Sequence, residues 1–349
     1  MKLQNFIKEI VIISIVLISQ GSVGQVPYER ILNASDEPQN WLTYNGGYMS
    51  QRYSLLDQIN RENVNQLELK WVLQNQVFGA WQSNPIIVDG VMYVTERPNS
   101  VMAVDAVTGR VYWKYRHQNA DNALVCCGAN NRGVAVLNDK VYMGTLDAHL
   151  VALDRVNGQL LWEAEVGDVN LAYSVTMAPL AVKDKILVGV GGGEFGIRGY
   201  VAAFNAETGE QAWKTYTIPG PGEVNHDSWE GDDWEHGGAP VWITGSFDSD
   251  LNLTYWGVGN PGPDWNAGQR PGDNLYSDSA IALDADTGEL KWYFQFTPND
   301  AYDYDSVQVP VLADMEWRGE AKKVMMWANR NGYFYVLDRT NGQFLEGKP

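Results

Sequence analysis

The chain has 349 residues, 43 acidic against 25 basic side chains, and a formal net charge of −18. Such an acidic surplus argues against nucleic acid and anionic membrane surfaces as partners. Fourteen tryptophans, 18 tyrosines and 35 glycines point to β-structure with many tight turns.

At the N-terminus, Lys2 and Lys8 precede the apolar run from Ile10 to Ile18, and Ser22 and Gly24 follow before a polar stretch opens at Gln25. This pattern reads as a signal peptide over residues 1–24 and implies export. The run is short for a membrane span, and an uncleaved anchor is the alternative. No low-complexity linker interrupts the chain after Gln25, so residues 25–349 read as one domain.

Cys126 and Cys127 are adjacent and are the only cysteines. Their Cα atoms must lie about 3.8 Å apart across a trans peptide, below the window of roughly 4.4–6.8 Å for relaxed disulfides. Either they remain reduced and pack as small hydrophobes, or surrounding structure enforces a strained ring. Such a ring would offer a hard, flat, polarizable surface to a planar ligand. Export favours oxidation, but the pair alone leaves both readings open.

An internal repeat begins at Ala103-Val104-Asp105-Ala106-Val107-Thr108-Gly109, with Trp113 four residues later. It returns around Asp154 with Trp162, Asn205 with Trp213 and Asp284 with Trp292; a fifth copy around Asp338 reads with Leu345 in place of the tryptophan. Each copy predicts a strand, an Asp-x-x-(Thr/Asn)-Gly turn and a second strand, the glycine supplying positive φ. Several short strands in a unit of about fifty residues mark a β-propeller blade. The tryptophan is expected to dock between neighbouring blades. The long interval before Asp284 predicts an insertion from Tyr216 to Asn274 on one face, where a functional site would lie. The last copy reads as ending without a closing strand. Five turns do not obviously close a ring, so the chain reads as part of a larger protein.

Beyond the repeat, Gly189 to Gly193 lacks the strand–Gly-x-Gly-x-x-Gly–helix setting of a nicotinamide site. No Cys-x-x-Cys-His occurs, so the chain carries no covalent c-type haem. His117, His149, His226 and His236 show no metal-ligand spacing and read as structural or solvated.

With Trp41-Leu42-Thr43-Tyr44-Asn45-Gly46-Gly47, Gln51-Arg52-Tyr53-Ser54, the adjacent cysteines and the tryptophan-bearing repeats, the chain resembles the quinoprotein alcohol dehydrogenases, periplasmic enzymes that use pyrroloquinoline quinone (PQQ). The resemblance covers essentially everything after the signal segment. It implies an all-β fold, a β-propeller of the eight-bladed quinoprotein type, with only about five blades in this chain. It further implies that Cys126 and Cys127 form a disulfide against which PQQ stacks. Gly237-Gly238-Ala239-Pro240-Val241-Trp242 makes Trp242 the stacking partner opposite.

Glu194, Asn260 and Asp303 match the family's metal ligands in order and local sequence. Oxygen-only donors suit a hard cation, and Asp305 adds a carboxylate of the kind found in relatives that take a lanthanide in place of calcium. The resemblance makes Asp303 the general base on an alcohol hydroxyl and Arg330 the cation beside the cofactor oxygens. Arg132 and Thr176 would hold cofactor carboxylates. Gln82 stands where some relatives carry glutamate, and its amide can still hydrogen-bond a carboxyl group. The expected partners are a primary alcohol or polyol and an external electron acceptor, a c-type cytochrome. A non-catalytic propeller scaffold and an inactive truncated enzyme are the competing readings.

Overall fold

A computed structural model describes residues 24–349; the predicted signal peptide, except Gly24, lies outside the described residues. Among those described, twenty strands form five four-stranded antiparallel sheets, each ordered as the chain runs. These are blades 1 to 5, over residues 86–116, 135–165, 180–216, 246–295 and 311–348. The innermost strands of blades 2 to 4 are fully buried, whereas outermost strands such as Val111–Arg116 and Leu160–Glu165 alternate towards solvent. No described helix is long and apolar enough to cross a membrane.

The repeated turns explain how the blades lock together. Asp105 Oδ1 accepts from the backbone N–H of Val107 and Thr108, both at 2.9 Å. Asp154, Asn205 and Asp284 repeat this within 3.0 Å. The closing glycines, from Gly109 to Gly342, have φ between +73° and +76°. A side chain there would also collide with a neighbour, since a Cβ on Gly158 would sit 2.5 Å from Trp113 and one on Gly288 2.5 Å from Trp213. Each tryptophan therefore lies over the next blade's turn. It also donates Nε1–H to a carbonyl there, Trp113 to Arg155 at 3.1 Å and Trp292 to Arg339 at 3.1 Å. The expected docking role is what the structure shows.

Three sequence expectations change. The fifth blade is complete, because Gln343–Lys348 forms its outermost strand, and Glu346 rather than Leu345 stands at the tryptophan position, opposite Val336. The interval from Tyr216 to Asn274 is not one insertion. It contains the first two strands of blade 4, Ser246–Asp248 and Leu253–Gly257, and the extra length divides into loops before and after them. The docking series also starts earlier than the repeated turns. Trp71 caps Gly109 and donates to the Ala106 carbonyl at 3.2 Å. Trp71 lies in Leu67-Glu68-Leu69-Lys70-Trp71-Val72, a stretch of strand-like character with no strand partner among the described residues; Leu69 is 81 % exposed.

Candidate functional site

Loops from four blades and from the segment before blade 1 converge on a cavity of about 300 Å³, at the small end of the range for ligand sites. Cys126, Cys127, Arg132 and Thr176 line one part of it, and Glu194, Trp242, Asp303, Asp305 and Arg330 line another, with Gln82 at the edge. Asn260, 1 % exposed, does not line the cavity but lies behind Asp305, whose Oδ1 accepts its backbone N–H at 3.3 Å. The structure thus brings together every site residue that the sequence singled out.

Cys126 and Cys127 are joined in a disulfide with Cα atoms 3.8 Å apart. A carboxylate oxygen of Glu194 lies within 4.8 Å of both sulfurs. Cys127, Asp303 and Asp305 all adopt positive φ, +65°, +58° and +51°. Non-glycine residues keep this backbone only where their surroundings over-determine it.

Asp305 is the best-anchored carboxylate. Its Oδ1 accepts from Trp242 Nε1 at 3.1 Å and from Asn260 N at 3.3 Å, while Arg330 Nη1 donates to Oδ2 at 3.2 Å. Gly259 is required here, because a Cβ on it would lie 2.5 Å from Asp305 Oδ1. Burial, then repulsion from Asp303, pushes the Asp305 carboxyl up to about 7. Burial likewise raises Asp303 and Glu194, and Arg330, 4.0 Å from Asp303, counteracts part of the rise on Asp303.

Asn260 spends its amide nitrogen on Asp264 Oδ1 at 2.7 Å and on the Pro261 carbonyl at 3.3 Å. That leaves its Oδ1 as the available donor atom. Arg132 gives Nη1–H to Thr176 Oγ1 at 2.9 Å and its guanidinium lies 4.7 Å from the Trp242 ring centroid. No carboxylate of a described residue lies within 4.0 Å of it, and burial lowers its affinity for its proton.

Two participants are not marked by any sequence motif. Asp264 contributes a fourth carboxylate whose charge raises both Glu194 and Asp303. Its position four residues after Asn260 was the available signal. Asp278 is fully buried, and its Oδ1 accepts from Ser306 N at 3.1 Å and Oγ at 3.2 Å. Ser306 Oγ in turn accepts from Asn329 Nδ2 at 2.9 Å. The neighbours of Asp305 and Arg330 are tied together through this network, but its members are more than twenty residues apart in sequence.

Residues 41–346 match the profile described as the PQQ family's glucose/ethanol/alcohol dehydrogenase β-propeller domain. The chain belongs to the PQQ-dependent quinoprotein alcohol dehydrogenase family. The quinoprotein alcohol dehydrogenase PedH of Pseudomonas putida is 41% identical over 97% of this chain and 60% of its own length. The lanthanide-dependent methanol dehydrogenase of Methylacidiphilum fumariolicum is 39% identical over 92% of this chain and 56% of its own. Among solved structures, the quinohemoprotein alcohol dehydrogenase ADHIIG of Pseudomonas putida superposes with a TM-score of 0.88 at 42% identity, over 93% of this chain and 50% of that one. The quinoprotein chain therefore spans about half to 60% of the length of these relatives.

The cavity fits the family's cofactors by its chemistry. Glu194, Asp303 and Asp305 on the cavity wall and Asn260 behind it offer only oxygen donors, the type a hard cation takes, and a bound cation would offset the burial and like-charge repulsion that raise the carboxyl groups. Arg132, half-buried without a carboxylate partner among the described residues, leaves a cation free for an anionic group of the quinone.

Proposed function

We propose that this chain carries the catalytic propeller face of an exported, periplasmic quinoprotein that oxidises a primary alcohol or polyol to the carbonyl compound. The observation that carries the proposal is the convergence of the Cys126–Cys127 disulfide, Trp242, the oxygen donors and Arg330 on one cavity. In it, Glu194, Asn260, Asp303 and Asp305 hold the cation, the disulfide and Trp242 flank PQQ, and Arg132 and Thr176 bind its carboxylates. Bound PQQ with its cation supplies the acceptor for the hydride of the alcohol carbon. Asp303 takes the hydroxyl proton on a carboxylate oxygen. Arg330 stabilises negative charge that develops in the cavity, and Trp242 keeps Asp305 turned inwards through its Nε1–H.

Asp305 favours a trivalent lanthanide over calcium, because it adds a carboxylate to the donor set. Electrons leave to a separate acceptor, a c-type cytochrome. Titration of the chain with PQQ in the presence of lanthanum or calcium tests the proposal. Saturable, metal-dependent binding that Asp303→Ala abolishes is the expected result. A folded chain that binds PQQ with neither metal would overturn it in favour of a non-catalytic scaffold.

A further inference from the structure

A second cluster of ligand-bearing side chains lies away from the cavity, where blade 1 meets blade 2. His117 follows the outermost strand of blade 1, Val111–Arg116, and its backbone N–H donates to the Asn99 carbonyl at 2.9 Å. His149 opens the strand His149–Asp154 of blade 2, and Glu163 lies in the adjoining strand Leu160–Glu165. The register pairs His149 with Glu165 and Val151 with Glu163, so His149 and Glu163 share one face as diagonal neighbours. One nitrogen of each histidine and a carboxylate oxygen of Glu163 lie within 4.8 Å of one another.

Asp147 lies against both rings. It is buried, with its side chain 4 % exposed; His117 Nε2 lies 2.9 Å from its Oδ1 and 3.0 Å from its Oδ2. Thr145 Oγ1 and Ala120 N also donate to it, at 2.6 and 2.9 Å. A buried carboxylate bracing an imidazole is the arrangement that fixes ring orientation at metal centres. His149 Nδ1 stands 3.7 Å from Asp147, and that nitrogen is buried without a hydrogen-bond partner. His149 Nε2 faces Glu163 at 4.0 Å.

We infer that His117, His149 and Glu163, braced by Asp147, form a second metal site, for a borderline divalent ion such as zinc. Two imidazoles and a carboxylate select zinc or a neighbouring transition metal, whereas the all-oxygen cavity selects a hard ion. Two carboxylates also supply the two negative charges that a divalent ion balances. Tetrahedral zinc bonds of 2.0–2.2 Å place ligand atoms about 3.4 Å apart. The side chains of His149 and Glu163 are 29 % and 34 % exposed, which leaves them room to close separations of up to 4.8 Å to about 3.4 Å around the ion. The fourth position stays open to solvent, and the ion ties the exit of blade 1 to the edge of blade 2. This site does not depend on PQQ binding.

Cobalt(II) and zinc titrations of the full chain, stripped with chelator and carrying Glu194→Gln and Asp303→Ala to silence the oxygen site, test it. The expected result is one equivalent of cobalt with visible ligand-field absorption, displaced by zinc, and a melting temperature raised by a few degrees. His149→Gln and Glu163→Gln, both at partly exposed positions, should each weaken binding at least ten-fold. Absence of a stoichiometric cobalt spectrum, or binding unchanged in both variants, would overturn the site.

Discussion

The turns and the cavity of this propeller use the same residue type in opposite electrostatic states. At the turns, Asp105 and Asp284 accept N–H donors from their own turn and an O–H, from Tyr112 on the following strand for Asp105 and from Thr287 in the turn for Asp284. Asp105 is held below the ordinary carboxylate range first by the Tyr112 hydroxyl; for Asp284 burial opposes the effect, but the Thr287 donors prevail. In the cavity, Asp303, Asp305 and Glu194 are raised, chiefly by burial, and like charges nearby add to the rise. A satisfied carboxylate builds the scaffold; a buried one crowded by like charges is available for a cation and for proton transfer.

The largest expected effect separates these two roles. Asp303→Ala in the PQQ- and lanthanum-loaded chain should lower alcohol-dependent dye reduction by about 10²–10⁴-fold, the usual contribution of a general base. Its melting temperature should change little. Asp105→Ala should show the reverse, full turnover with a small loss of stability. Turnover within ten-fold of wild type in Asp303→Ala would remove Asp303 from the base role.

Tryptophans allow the comparison to be repeated with a different side chain. Trp213 is 8 % exposed, lies over Gly288 and donates to the Ala285 carbonyl at 3.3 Å. Trp213→Ala should cost about 3–5 kcal/mol of stability in a denaturant melt. Trp242→Ala, in the half-open cavity, should instead abolish PQQ binding with a much smaller stability loss. Similar stability losses in both variants would mean that Trp242 is only a packing residue.

Asp305 sharpens the cavity side. Asp305→Asn preserves shape and one acceptor oxygen but removes a charge, and should reduce the preference for lanthanum over calcium at least ten-fold in competitive titration. An unchanged ratio would show that the preference, if measured in the wild type, is set by Glu194, Asp264 and Asp303.

Legibility in the sequence divides along the same line. The turns were readable because each is local: Asp105 meets Val107, Thr108 and Gly109 within five residues. Trp71 has no sequence signature because it lacks its own Asp-x-x-x-Gly turn, although it docks like the others. In the cavity, a resemblance to known relatives supplied Glu194, Asn260 and Asp303, whose contacts no spacing rule predicts. Asp278 and the pair His117–His149 stayed hidden because propeller folding alone brings Ser306 to Asp278, and Asp147 between the two histidines.

The smallest effect tests the turn electrostatics by pH. Asp284 Oδ1 accepts from the backbone of Asp286 and Thr287, both at 3.0 Å, and from Thr287 Oγ1 at 3.0 Å. Its folded pKa lies below the ordinary value of 3.8. A depressed folded pKa contributes stability that is fully present above the unfolded value and is lost as pH falls through the folded value. Asn205 fills the equivalent place in blade 3 with the same two backbone acceptances, so Asp284→Asn should keep the turn and lose only the charge-dependent part. Wild type should exceed the variant by a few tenths to about 1 kcal/mol at pH 6, and the gap should close as the pH is lowered from 4 towards 2. Melting curves of the two proteins across that range measure it. A gap that stays constant with pH would show that shape, and not charge, makes aspartate suit this turn.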